Sequence, residues 1–140
     1  DLLLYLAARN ENLQNLLIKN YKKKVILIDR FTDSTLAYQH YGMGININLI
    51  NSINSFLLKN FKTNLTFLNL VSKKNMKNRL LKRKTLNRYD KFKMSFYTKV
   101  QNGYLKLYAK NKNKYKIIDS NKSILTNKKI IISEFKKLTK

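Results

Sequence analysis

Three short runs rich in β-branched and apolar residues, at 25–29, 65–71 and 115–119, constrain the fold of this chain more than any other feature. Each is the length of a single strand, and each is separated from the next by segments of helical periodicity. Antiparallel neighbours can be joined by a two-residue turn. Parallel strands need a crossover of roughly a dozen or more residues, usually a helix. The alternation therefore predicts an α/β fold with a parallel sheet and flanking helices.

The intervening segments read as helices in detail. Leu2, Leu6, Leu13, Leu16 and Leu17 recur near the helical period and predict a helix over 2–19. The basic turn Lys22-Lys23-Lys24 leads into Val25-Ile26-Leu27-Ile28-Asp29, expected as a buried strand. Asp33 is expected to cap a helix reaching about Tyr41, and Gly42 and Gly44 punctuate the turn after it. Leu49, Ile50, Ile53, Phe56 and Leu57 mark the next helix. Met76 and Leu80 lie on a short basic helix, with Arg79 and Arg83 on another of its faces. Phe92, Phe96, Val100 and Tyr104, spaced by four, line a long helix to about Lys110 and read as core. Ile131, Phe135 and Leu138 are expected to face inward from a final helix. No repeat or flexible linker interrupts the pattern, so 1–140 reads as one domain.

Composition narrows the function classes. The chain carries 30 Lys and Arg against 7 Asp and Glu, a net charge of +23. Such a balance raises a nucleic acid or an anionic membrane as partner. The make-up of that charge argues otherwise. There are 25 Lys but only 5 Arg, with 19 Asn, 13 Ile and no Pro or Trp, which is the bias an A/T-rich coding sequence imposes. The lysines are scattered through every segment, so nucleic acid is not an expected partner. The absence of cysteine excludes disulfides and thiolate metal sites, and His40 alone cannot build a histidine site. No apolar run approaches the roughly 20 residues of a membrane span. No secretory leader is recognisable, so a cytoplasmic protein that does not engage a membrane is expected.

The five arginines, Arg9, Arg30, Arg79, Arg83 and Arg88, stand out against the lysine background. A guanidinium offers a planar, permanently charged fork for bidentate contacts, which an ammonium does not. Arg30 follows the carboxyl end of an expected strand, where open α/β sheets bind ligands. Asp29 beside it could orient that arginine, or hold a metal-bound water or a phosphate-bound proton. Ser34 and Thr35 fall in a first helical turn, where free backbone N–H groups favour anions, although capping is the simpler role. Tyr5 and Arg9 are four apart and share a helix face, so ring and guanidinium could together stack on a base and bond its edge.

Asp29-Arg30-Phe31-Thr32-Asp33-Ser34-Thr35-Leu36-Ala37-Tyr38-Gln39 closely resembles the DR(Y/F)xxSxxAYQ segment of thymidylate kinases. Leu2-Leu3-Leu4-Tyr5-Leu6-Ala7-Ala8-Arg9 resembles that family's LLLFxAxR helix, with Tyr5 in place of the usual Phe. Phe61-Lys62-Thr63-Asn64-Leu65-Thr66 resembles FxPDLT with Pro and Asp lost, and Asn69 and Ser72 stand where acids are usual. Arg79, Arg83 and Asn87-Arg88-Tyr89-Asp90 resemble the arginine pattern of the lid, about 79–91. Phe96, Val100, Gly103 and Tyr104 match FxxxVxxGY, and Ile117-Ile118-Asp119 the closing strand.

The resemblance implies a P-loop NTPase-like three-layer fold with a parallel sheet, and a kinase that moves the γ-phosphate of ATP to dTMP with Mg²⁺, giving dTDP for dTTP biosynthesis. It implies that Arg30 grips the dTMP phosphate with Asp29 beside it. Tyr5 stacks on thymine and Arg9 contacts its edge. Ser34, Thr35, Tyr38 and Gln39 surround the thymidine. Arg79, Arg83 and Arg88 close over ATP, with Arg79 near adenine; Arg30, Asp29, Arg83 and Arg88 carry the catalysis. No protein metal site is expected, and a homodimer is implied. Two alternatives stand beside this reading: a basic nucleic-acid-binding module, and a related nucleoside-monophosphate kinase with another base preference.

One family element is missing. The glycines at 42, 44 and 103 form no GxxxxGK[ST] loop. In the family that loop and the first two strands precede the equivalent of Asp1, and the first strand lies between those matching 25–29 and 64–71. The expectation is that 1–140 is the C-terminal two-thirds of one kinase domain, first strands missing, with a gap in its sheet. Unpaired backbone groups at such a gap cost on the order of 1–3 kcal/mol each if buried, so these residues alone are expected to be inactive and poorly folded.

Overall fold

The computed structural model of the protein describes residues 2–59, 61–85 and 88–139. Its sheet is a parallel pair, β1 (Thr66–Leu70) and β2 (Tyr115–Asp119), with Thr66 opposite Tyr115 and Leu70 opposite Asp119. The crossover between them carries α5 (Lys73–Leu81), a 3₁₀ turn (Tyr89–Lys91), α6 (Met94–Lys110) and a second 3₁₀ turn (Lys112–Lys114). This is the helical connection that a parallel pair requires, and the α/β expectation holds. No helix among the described residues is long and apolar enough to cross a membrane.

The N-terminal helix begins as α1 (Leu2–Asn12), continues through a π-helical stretch (Leu13–Leu17) and ends in one turn, α2 (Ile18–Asn20). Its buried side chains, Leu6, Leu13 and Leu17, fall on one stripe. A second helix starts as α3 (Thr32–Thr35) and widens into a π-helical stretch (Leu36–Gly42), where Met43 N–H bonds the Tyr38 carbonyl at 3.0 Å. Gly44, at φ +80°, makes the left-handed turn into α4 (Ile47–Leu58), which Asn46 caps through Asn48 N–H at 2.8 Å. The last helix is α7 (Ile124–Leu138), capped by Ser123.

The core that supports the second helix is Ala37 against Phe96 and Val100 of α6. Phe92 lies before the start of α6 rather than on its face, yet its ring stacks on Phe96 at 4.3 Å. Gly103 lets α6 approach closely, since a Cβ there would sit 2.6 Å from the Tyr41 ring. Tyr104 from the same helix packs at the edge of this cluster.

Besides the placement of Phe92, three local expectations are corrected. Residues 25–28 form no strand: they join no ladder among the described residues, and Leu27 is 84% exposed. A strand exists only with a hydrogen-bonded partner, and β-branched composition alone does not supply one. Asp33 is not a cap. Phe31 occupies that position, and the Asp33 carboxylate instead accepts from the Tyr115 hydroxyl at 2.8 Å and pairs with Lys114 at 3.5 Å. The third concerns α7, none of whose residues is buried: Ile131 is half-buried, while Phe135 and Leu138 are exposed. It is tied to β2 by the Lys116–Glu134 ion pair at 3.0 Å.

Candidate active site

The turn between residue 28 and α3 carries the most strained functional candidate. Arg30 sits at φ +60°, a left-handed conformation that costs a non-glycine residue on the order of 1 kcal/mol. Its guanidinium lies over the Tyr38 ring, 5.1 Å from the centroid. Burial alone would lower its pKa, but the combined pull of the Tyr38 and Tyr104 hydroxyls and Asp29 raises it.

Arg9, projecting from α1, is held from three elements. Its Nη1 donates to Asn54 Oδ1 of α4 at 3.0 Å, and its Nη2 donates to Thr35 Oγ1 of α3 at 2.7 Å and to the Phe31 carbonyl at 3.3 Å. The Phe31 ring lies 5.5 Å from the guanidinium carbon. Burial lowers the pKa of Arg9, with the Asp33 charge acting in the opposite sense.

These groups open on one cleft of about 500 Å³, the size of a small-molecule pocket. Tyr5, Arg9, Asp29, Arg30, Ser34, Thr35, Tyr38 and Gln39 all line it, with Leu16, Leu17 and Ile26 among its apolar walls. The hydroxyls of α3 already have protein partners: Ser34 Oγ meets Tyr104 OH at 2.7 Å, and Thr35 holds Arg9. In this structure they brace the cleft.

The lid candidates lie elsewhere. Arg79 of α5 donates to the Ser120 carbonyl at 2.5 Å, in the loop that follows β2. Asn121 secures that loop: its Oδ1 accepts from Ser72 N–H at 3.0 Å and from Asn75 at 2.9 Å. Arg83 grips both oxygens of Asp90 at 2.6 Å. Arg88 is exposed and precedes the 3₁₀ turn; Asn87 lies outside the described residues. None of the three arginines lines the cleft.

Sequence reasoning missed the residue that joins the two groups. Tyr89, beside Arg88 in the segment expected as a lid, lines the cleft. Its hydroxyl accepts from Tyr5 OH at 3.2 Å, and its ring meets Tyr38 edge-on at 5.5 Å. Burial and the bond to Tyr5 push its pKa up to about 12. Asn54 and Tyr104 were also missed as site residues. The one signal for Asn54 was a polar side chain four positions after Ile50, on the same face of an apolar helix.

A family model described as thymidylate kinase matches residues 1–131. The chain is 37% identical over 127 residues to the thymidylate kinase of Mycoplasma capricolum subsp. capricolum, covering 89% of this chain and 60% of that protein. It is 38% identical over 128 residues to the thymidylate kinase of Aster yellows witches'-broom phytoplasma, covering 89% and 61%. The crystal structure of thymidylate kinase from Ehrlichia chaffeensis superimposes with a TM-score of 0.68 at 25% identity, covering 99% of this chain and 64% of that one. The chain thus spans about three fifths of the length of the curated relatives it matches, and its fold is the P-loop NTPase type expected from the sequence. On this agreement of family model, relatives and fold, the chain belongs to the thymidylate kinase family.

Proposed function

We propose that the protein carrying this chain transfers the γ-phosphoryl group of ATP to dTMP, and that residues 1–140 supply the acceptor side and the lid, about 79–91, of one kinase domain. The observation that supports this best is the convergence of Tyr5 and Arg9 from α1 with Arg30, Ser34, Thr35, Tyr38 and Gln39 from the turn and helix that follow residue 29, on one cleft. In this reading the Tyr5 ring stacks on thymine and Arg9 donates to its edge. Ser34, Thr35, Tyr38 and Gln39 surround the nucleoside, and Arg30 holds the acceptor phosphate.

An oxygen of that phosphate attacks the γ-phosphorus in line, and the bond to the bridging oxygen of ADP breaks. No covalent intermediate forms on the protein, so positioning and charge neutralisation carry the reaction. Arg79, Arg83 and Arg88 move over the ATP phosphates as the lid closes, with Arg79 near adenine. Asp29 orients Arg30 or faces a metal-bound water.

The described residues contain no group of three or more His, Cys, Asp or Glu side chains able to hold a metal by themselves. Asp29 is the single carboxylate of the cleft. That fits Mg²⁺, which keeps several waters and takes one or two carboxylates plus substrate phosphates. When bound, the ion would be held through water by Asp29 and would supply charge neutralisation at the ATP phosphates. A homodimer in the cytoplasm completes the proposal.

The test is an acceptor panel on the intact protein carrying this chain, with dTMP, dUMP, UMP and AMP in competition. ATP-dependent phosphorylation with dTMP preferred is expected. Preference for AMP or UMP would move the protein to another monophosphate kinase, and no phosphorylation would overturn the reading.

A further inference from the structure

We propose that Asn54 is a positioning residue that fixes the Arg9 guanidinium and thereby sets the preference for a 4-oxo over a 4-amino pyrimidine; this rests on the function proposed above. Asn54 and Ile50 are the buried residues of α4, and Asn54 is only 7% exposed. A carboxamide at a position that otherwise takes an apolar side chain must find a hydrogen-bond partner. It finds one in Arg9 Nη1 at 3.0 Å.

The donor inventory shows what this contact does. A guanidinium has five N–H groups and no acceptor. Nη2 donates to Thr35 Oγ1 and the Phe31 carbonyl, and Nη1 gives one hydrogen to Asn54. One Nη1 hydrogen and the Nε hydrogen remain for a ligand. Thr35, 3% exposed, and Asn54 thus clamp the fork from opposite sides. A clamped, donor-only fork welcomes a carbonyl at the pyrimidine 4-position. It opposes an amino group there, because the donor–donor clash cannot be relieved by swinging the arginine away. Without Asn54 the fork can turn, and the penalty on the wrong base shrinks. The partial burial that lowers the pKa of Arg9 strengthens both the attraction and the clash.

The test is steady-state kinetics on the intact protein carrying this chain, with dTMP and dCMP as competing acceptors. Asn54→Leu is expected to raise the KM for dTMP about tenfold with kcat within about twofold, and to lower the dTMP over dCMP preference by about tenfold. Asn54→Ser keeps a polar group but cannot reach Arg9, so it should act like Asn54→Leu even if the leucine variant folds badly. Asn54→Asp keeps an acceptor at the same place and should retain most of the preference. An unchanged preference in the Leu and Ser variants, with only a lower melting temperature, would reduce Asn54 to a packing brace and overturn the inference. So would an Asp variant as impaired as the leucine one. Wild-type protein that fails to phosphorylate dTMP would sink the proposed function before any variant is compared, and the two failures are distinguishable on that ground.

Discussion

Arg9 and Arg83 are both held by two or more hydrogen bonds, but in different ways. The partners of Arg9 are Asn54, Thr35 and the Phe31 carbonyl, 22 to 45 residues away, and the two side chains among them are buried. The partner of Arg83 is Asp90, seven residues away in the same segment, and the Arg83 side chain is 51% exposed. The first arrangement exists only when three elements are folded together, so the cleft is aimed before any ligand arrives. The second is local and joins a half-exposed guanidinium to a carboxylate whose side chain is only 6% exposed, so the arginine is the end able to move in the proposed lid closure. Tyr89 sits between them, on the proposed lid segment yet lining the cleft.

The largest effect that could break this contrast is expected for Arg9→Ala. It leaves Asn54 Oδ1 and Thr35 Oγ1 without their donor in buried surroundings, a loss of about 1–3 kcal/mol in urea unfolding. It should also weaken dTMP binding about 100-fold by calorimetry. Arg83→Ala takes one partner from a carboxylate that is 6% exposed, but the arginine side is half exposed and water can replace it, so a smaller loss of about 1 kcal/mol is expected. Equal losses would mean that the cleft is no more preorganised than the lid.

Much of this division was legible in the sequence, and the exceptions share a cause. The sites of α4, α6 and β2 follow from periodicity, and the eight cleft residues were named through the resemblance to thymidylate kinase motifs. Residues 25–28 read as a strand because they are β-branched, yet pairing is a property of two segments and none is present among the described residues. Asp33 read as a cap because of its neighbours, whereas its partner, Tyr115, lies 82 residues away. Periodicity showed that α7 has an apolar face and could not show what that face meets. Asn54 showed only as a polar residue on an apolar face, and its role could not be read for the same reason: it is defined by Arg9, 45 residues upstream.

A smaller effect sharpens the contrast through the tyrosines behind the cleft. Burial raises the pKa of Tyr97, Tyr104 and Tyr115, and that of Tyr89 reaches about 12. A folded-state pKa above the unfolded value contributes stability that is fully present below about pH 10 and is lost as pH rises through the folded value. Tyrosinate absorbance should therefore show a late class among the nine tyrosines, with stability falling between about pH 10 and 12. Tyr89→Phe should remove one member of that class, while a single transition near the ordinary tyrosine pKa would contradict this packing.

The central proposal is that the acceptor site is built before the proposed lid acts. Its most direct test is dTMP binding without ATP, measured by calorimetry for the intact protein carrying this chain and for its Arg30→Ala and Arg83→Ala variants. Arg30→Ala should weaken binding about 100-fold, and Arg83→Ala should stay within about twofold of wild type. Comparable weakening in both variants, or none in Arg30→Ala, would contradict it.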